Sequence, residues 1–462
     1  MKLFNSLTDK KEEFIPIKEG VVKIYVCGPT VYNDMHVGNI RPHVSFDILR
    51  RYLIFNGYDV KYVSNFTDVD DKIIKKANEE GIGIDEVTSR YIKSVKEDLD
   101  ELSIYDYPIE HPTCTAHMDD IIEFIEGLIE KGYAYEVDGD VYFRVRKLKD
   151  YGKLSNRNVE ELEIGARIEE NVDKEDPLDF TLWKKKKEGE PAWKSPWSEG
   201  RPGWHIECST MIRALLGKTI DIHAGGEDLK FPHHENEIAQ SEALNEEPLA
   251  HYWLHNGMIN IDNVKMSKSI GNIFIAKDFI EQEGAEVLRF FMLNAHYRKP
   301  LNFTHDAIEQ VKSMIRRLRN SKIRLANLIE ASVGGELNKD ITSEVDAIRE
   351  SLISHMDDDL NTPDAVTDWI ALSKLINTKL DDNSSKEDLL YVKKLFDDFV
   401  DIFGVIKDEK HELDFDIDAI IKEREEARAN KDYKRADEIR DELKEKGIIL
   451  KDTKDGVTWE RA

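Results

Sequence analysis

Residues 21–27 (VVKIYVC) form a short apolar, β-branched run that reads as a buried strand, and Gly28-Pro29 cannot continue it. After the loop TVYNDM, the apolar positions Val44, Ile48, Leu49, Tyr52 and Leu53 recur at helical spacing as far as Gly57, the expected C-cap. A second strand follows at 60–63. Strand, helix, strand in this order is a βαβ unit, which requires a parallel sheet, a right-handed crossover and a ligand crevice beyond the carboxyl ends of the strands.

From about residue 68 to 131 the pattern is helical, and YAYEVDGDVYFRV then alternates about Asp138-Gly139, a hairpin signal. The stretch 165–203, rich in Asp, Pro, Lys and Trp with little periodicity, reads as a long connecting loop. Strand character returns at 219–223, a helix is expected over 233–244, and a strand-like run over 251–261 leads into NVKMSKSIGN. Helices are then expected near 305–331, 340–357, 363–380, 385–404 and 415–446, before a small β-like tail. There are no evident internal repeats or low-complexity tracts.

The fold class expected is therefore α/β: a Rossmann-like parallel-sheet catalytic domain split by an insertion, then an α-helical bundle and a small C-terminal α+β tail. In residues, 1–135 is the first half of the catalytic domain, 136–200 the insertion and 201–304 the second half. A bundle occupies 305–405, and 406–462 is a C-terminal recognition segment.

A chain of 462 residues is too long for one small binding module. No window approaches the roughly 20 apolar residues that span a membrane, and the N-terminus lacks a secretory pattern. A soluble, cytoplasmic protein without a membrane partner is expected. Sixty-six basic against 93 acidic residues give a formal charge of −27, which would repel a polyanion unless the basic residues are gathered on particular faces. Three cysteines, Cys27, Cys114 and Cys208, argue against a disulfide framework and leave thiolates for metal or catalysis.

Two short motifs lie where phosphate chemistry needs them. His36-Val37-Gly38-Asn39 opens the first helix, where free backbone N–H groups and the helix dipole favour an anion. By itself such a pattern more often marks a helix-capping turn with a solvent-facing histidine. Lys265-Met266-Ser267-Lys268-Ser269 follows a strand-like run, and together, in this order about a βαβ fold, the two are far more specific than either. A third group concerns metal. Cys27 ends the first strand, Cys208 lies in GWHIECSTM, and FPHHENEIAQ puts His233 and Glu237 at i and i+4 on one helical face. Two thiolates, an imidazole and a carboxylate suit zinc, although the spacing is not that of a zinc finger and His234 is a competing ligand. Cys114 has no such company and reads as a small buried residue.

HVGN and KMSKS resemble the two signatures of class I aminoacyl-tRNA synthetases, with Asn39 standing where the first signature has a second histidine; asparagine keeps a neutral donor. The strings YVCGPTVYND, NFTDVDDKI, GRPGWHIECS, HAGGEDLKFPHHENEIAQSE and KMSKSIGN, with the segment REEARANKDYKRADEIRDELKEKGI, resemble the cysteinyl-tRNA synthetase family over nearly the whole chain. The resemblance implies an ATP-dependent cysteine–tRNA ligase that forms cysteinyl-adenylate and charges the 3′-terminal adenosine of tRNA(Cys). It implies His36, Asn39, Lys265 and Lys268 as catalytic residues and Gly38 with Lys268 at ATP. Thr67, Trp204 and Asp228 would bind cysteine, with His205 and His223 lining the same pocket. Cys27, Cys208, His233 and Glu237 would hold one Zn²⁺ per chain, which ligates the substrate thiolate, and Mg²⁺ would accompany ATP. A monomer is expected.

Arg424, Arg428, Lys431, Lys434 and Arg435 would supply a phosphate-facing patch, unless they are the solvated face of an amphipathic helix. Trp459 would stack on an anticodon base or close the tail's core. Two other readings compete. A ligase joining activated cysteine to an amino sugar would use the same pocket without the C-terminal segment, and a zinc-stabilised RNA-binding module would not need both signatures.

Overall fold

The structure is a computed structural model, and it describes residues 1–157, 174–262, 264–265, 273–407, 417–429, 432–445, 448–453 and 456–461. The chain separates into two compact units, Met1–Ile406 and Lys407–Ala462.

The site of the first unit is built on a four-stranded parallel sheet. Its elements are β1 (Val21–Val26), helix α1 (Val37–Phe55), β2 (Asp59–Ser64), helix α2 (Ile206–Leu215), β3 (Ile220–Gly226), helix α3 (Glu235–Asn245) and β4 (Ala250–Asn256). The order is β4-β3-β1-β2, with Val22 opposite Val60, Ile24 opposite Ile222, and Ile222 opposite Tyr252. Isoleucine and valine at 22, 24, 26, 220 and 222 are fully buried, as a sheet covered on both faces requires. From β1 the chain crosses to β2 on one side, and from β3 to β4 on the other. The switch point therefore lies between β1 and β3, where open α/β sheets bind ligands.

The expected βαβ unit is present to within two residues at each boundary, and Gly57, at φ +87°, follows the end of α1. The hairpin Ala134–Val137/Asp140–Phe143 turns at Asp138 and Gly139, both at positive φ. The long loop expected over 165–203 differs from the structure in its described part. Phe180–Lys185, Trp193–Lys194 and Glu199–Pro202 join that hairpin in a five-stranded antiparallel sheet. These strands have two to six residues, and their partners lie as far as about 40 positions away, so no local alternation announces them. The run expected over 251–261 is also two strands, β4 and Ile259–Ile261, the second pairing with Leu301–Phe303 in a different sheet.

Helices His305–Ala331, Lys339–Asp357, Thr362–Lys379 and Lys386–Phe403 form the bundle, in which Trp369 is wholly buried and stacks on Phe399 at 5.4 Å. In the second unit the single helix expected over 415–446 is two, Ile417–Ala429 and Tyr433–Glu445, beside the hairpin Ile448–Thr453/Gly456–Arg461. Ile439 and Leu443 form its small core with Ile420, Ile421 and Leu450.

Candidate active site and metal centre

A cavity of 310 Å³ opens at the switch point, lined by Cys27, Gly28, His36, Gly38, Asn39, Thr67, Trp204, Cys208, Asp228 and His233 among others. Gly28 is required where the chain leaves β1, because a Cβ there would stand 1.6 Å from the carbonyl oxygen of Asn65. Its N–H instead donates to Asn65 Oδ1 at 2.9 Å, and Asn65 Nδ2 donates to Thr67 Oγ1 at 3.2 Å.

Cys27, just beyond β1, and Cys208, in the first turn of α2, are 181 positions apart but meet because β1 and β3 are neighbours. Their Sγ atoms are 3.9 Å apart. His233 precedes α3 and Glu237 lies in its first turn. A tetrahedral ion with bonds of about 2.3 Å to sulfur and about 2.0 Å to nitrogen has S···S and S···N edges of about 3.8 and 3.6 Å. Cys208 Sγ lies 3.6 Å from His233 Nε2, Cys27 Sγ lies 3.5 Å from Glu237 Oε1, and His233 Nε2 lies 3.0 Å from Glu237 Oε1. All four groups are buried, and their donor atoms lie within 4.8 Å of one another. The cluster can therefore hold a metal ion.

A second quartet, Cys27, His223, His234 and Glu237, satisfies the same distance limit. In it His223 Nε2 donates to Glu237 Oε2 at 2.7 Å, and His234 has Nε2 3.3 Å from Cys27 Sγ and Nδ1 2.9 Å from His255 Nε2. It also has one thiol where the first quartet has two, so the first is the softer donor set and the better match to zinc.

The electrostatics divide the four groups: Glu237 and Cys208 are held toward their deprotonated forms, whereas the Cys27 thiol is pushed up and His233, beside Glu237 and Cys208, is raised to about 10. Burial alone would raise the Glu237 carboxyl, but His223 and His233 outweigh it and hold it well below the usual carboxylate range. The Cys208 thiol is pushed down to about 6, first by the hydrogen bond from Cys27 and also by His233, while burial pushes Cys27 up.

At the other end of the cavity His36 is the N-cap of α1. Its Nδ1 accepts from Asn39 N–H at 3.3 Å, and Asn39 Oδ1 accepts from His36 N–H at 3.2 Å, a reciprocal capping box. Capping and function are compatible here, since both residues still face the cavity and the Asn39 amide keeps its N–H donors. Trp204, 42% exposed, stacks on His233 at 4.4 Å and 23°, so the metal cluster is roofed by an aromatic side chain at the cavity mouth. Thr67 is buried in the wall, Asp228 is exposed at the rim, and His205 Nδ1 lies 2.9 Å from His233 Nδ1. Lys265 pairs through its backbone with Asn260; its side chain and Lys268 lie outside the described residues.

The proposed basic patch is not brought together as expected. Arg424 is 5% exposed, so it packs inward instead of facing phosphate, and Arg435 is held by Glu423 and Glu442 at 3.0 Å each. The interleaved acids pair along and between the helices, which a list of basic positions does not reveal. Arg428 and Lys434 are exposed, while Lys431 and the Trp459 side chain lie outside the described residues.

Several residues of the site carried no sequence signal. Asn65 holds Gly28, and Gln240 Nε2 donates to the His205 carbonyl at 2.8 Å and to Ser209 Oγ at 2.9 Å. His255 was legible only as one more polar residue in a strand.

The parallel sheet with a capped helix at its switch point has the fold of a class I aminoacyl-tRNA synthetase catalytic core. Residues 13–313 match a family model described as the tRNA synthetases class I (C) catalytic domain, 352–407 a DALR domain and 410–459 the cysteinyl-tRNA ligase anticodon binding domain. The chain is 53% identical to proteins named cysteine–tRNA ligase from Lachnospira eligens and Clostridioides difficile, with 100% of both chains covered in each case. In fold it is similar to a methionyl-tRNA synthetase of Mycobacterium tuberculosis (TM-score 0.58, 14% identity, 84% of this chain and 90% of that one). A leucyl enzyme of Agrobacterium radiobacter gives TM-score 0.60 at 10% identity, covering 85% of each chain. The chain belongs to the cysteine–tRNA ligase family and is an enzyme of that class.

Proposed function

We propose that this enzyme activates L-cysteine with Mg-ATP to cysteinyl-adenylate, transfers the cysteinyl group to the 3′-terminal adenosine of tRNA(Cys), and recognises its amino acid through one Zn²⁺ held by Cys27, Cys208, His233 and Glu237. The observation that carries this reading is the tetrahedral spacing of those four buried groups at the end of β1.

When bound, zinc supplies a soft Lewis acid that favours a thiolate over an alcohol. Around it Glu237, tied by Oε2 to His223, is fixed in one rotamer, and Trp204 covers the cluster against water. Thr67, Trp204 and Asp228 line the cysteine pocket. Activation makes a bond between the cysteine carboxylate oxygen and the α-phosphorus of ATP and breaks the bond to pyrophosphate. Charge develops on phosphate oxygens, so positioned donors matter most. The α1 N-terminus, His36, the Gly38 backbone and the Asn39 amide supply neutral donors there, and Lys265 and Lys268 supply charge.

Residues 410–459 are the candidate tRNA-reading segment. No described helix is long and apolar enough to cross a membrane, and the reading places a monomeric enzyme in the cytoplasm. Cysteine-dependent exchange of pyrophosphate into ATP, followed by charging of unfractionated tRNA with labelled cysteine, tests the two steps in turn. Exchange that no amino acid stimulates, or charging with another amino acid, would overturn the reading.

A further inference from the structure

His43 lies one turn beyond Asn39 on the same face of α1, at i and i+4, and lines the floor of the active-site cavity. Its side chain is buried, with 4% of its surface exposed, yet its ring has no hydrogen-bond partner among the described residues. Neither ring nitrogen is among the buried unpaired atoms, so the ring is open to the cavity it lines. The neighbouring histidines have protein partners: His205 and His233 pair with each other, His223 Nε2 binds Glu237 although its Nδ1 is buried without a partner, and His234 pairs with His255. His43 lines, without a protein partner, the cavity that substrate fills.

Its place in the cavity narrows what that substrate group is. Asn65 and Thr67 share the wall, and His111, which His43 feels electrostatically, donates Nδ1–H to the Ser64 carbonyl at 2.6 Å. His43 thus lies near the end of β2, on the cavity that Asn65 and Thr67 also line. Burial, with a further push from His111, holds the imidazole down to about 4, so it is neutral at working pH and keeps a bare ring nitrogen. A neutral acceptor on the cavity wall matches a cationic donor, and the cationic donor of cysteine is its ammonium group.

We propose that His43 accepts a hydrogen bond from the α-ammonium group of bound cysteine, directly or through one water, and is a substrate-contacting specificity residue. The inference rests on the cysteine-activation reading given above.

The test is steady-state pyrophosphate exchange with the full-length enzyme, comparing wild type with His43→Phe and His43→Asn. Phenylalanine keeps the volume and removes both nitrogens, while asparagine restores an acceptor near the position of Nδ1. His43→Phe is expected to raise KM for cysteine about 10-fold, the size of one lost hydrogen bond, with kcat and KM for ATP within about twofold. His43→Asn recovers most of the loss. Inhibition by cysteamine, which keeps the ammonium, weakens in His43→Phe by a similar factor, whereas inhibition by 3-mercaptopropionate, which lacks it, does not. If phenylalanine does not fit, His43→Met, an adaptable apolar side chain, takes its place. A folded apolar variant with the wild-type KM for cysteine, or one whose defect lies in ATP, overturns the inference. Wild-type enzyme without cysteine-dependent exchange would instead overturn the reading beneath it.

Discussion

Glu237 accepts a hydrogen bond from His223 through Oε2 at 2.7 Å while its other oxygen, Oε1, faces His233 and Cys27. One carboxylate is thus oriented from behind by a histidine that does not belong to the favoured ligand set. His223 is itself fixed, fully buried and stacked on Trp253 at 4.5 Å and 16°. Residues that orient metal ligands in this way typically contribute about 10–100-fold to metal affinity. His223→Ala is therefore expected to weaken zinc binding by that order, measured by competition with a chromophoric chelator, with the four ligands intact. Unchanged affinity in a folded variant would remove His223 from the account.

Behind the site, Asp47 of α1 is fully buried between three guanidinium groups. Arg51 Nε donates to it at 2.7 Å and Arg289 Nη2 at 2.5 Å, and Arg50 Nε donates at 3.1 Å. Arg289 also donates to the Phe403 and Leu102 carbonyls, and Arg51 to that of Asp401, so α1 is tied to the last helix of the bundle. Burial alone would raise the Asp47 carboxyl, but Arg289, Arg51 and Arg50 outweigh it and hold it far below the usual range. A carboxyl depressed by folding contributes stability above its unfolded value of about 3.9, and that contribution is lost as pH falls below it. Asp47→Asn should cost about 3–5 kcal/mol near pH 7, since it strands buried cations. The gap between wild type and variant in thermal melts should begin to narrow as pH falls below about 4 and go on narrowing toward the depressed native value. A gap that does not change with pH would contradict the assignment.

Lys268 is expected to act where phosphate charge develops and not where cysteine binds. Lys268→Ala should slow adenylate formation by about 100-fold or more, the size of one lost transition-state donor, with little change in cysteine affinity. A variant whose sole defect is a raised KM for cysteine would contradict this role.

On the proposed zinc reading, discrimination against serine follows from the same donor set. A hydrophobic pocket separates near-isosteres by only about 100-fold, whereas a site built for a specific polar partner reaches about 10⁴ or more. Pyrophosphate exchange with serine is expected to be barely detectable in zinc-loaded enzyme, and serine mischarged onto the tRNA is expected to persist. Rapid clearance of mischarged tRNA would place the specificity in hydrolysis instead.

Much of this architecture was legible in the sequence because its signals are local. The run 21–27, the helical spacing of Val44, Ile48 and Leu49, and the Asp138-Gly139 turn each determine their own element. The strands at 180–185 and 199–202 were not legible, because they are defined by each other and by Ala134–Phe143, not by alternation. In the site, Cys27, His233 and Glu237 stood out by strand end and helical spacing. His43 did not, since a polar residue on a helix looks solvated until the cavity beside it is seen. Arg424 misled for the opposite reason: it reads as surface charge in a helix rich in acids, and it packs inward.

The central claim is that Cys27, Cys208, His233 and Glu237 together hold the ion that selects cysteine. Zinc content per chain, measured by plasma mass spectrometry on wild type, Cys208→Ser, the Cys27→Ser/Cys208→Ser double variant and Cys114→Ala, tests it most directly. The account predicts one zinc per chain in wild type and Cys114→Ala, a marked loss in Cys208→Ser with cysteine-dependent exchange abolished, and none in the double variant. Full stoichiometry in the double variant would contradict it.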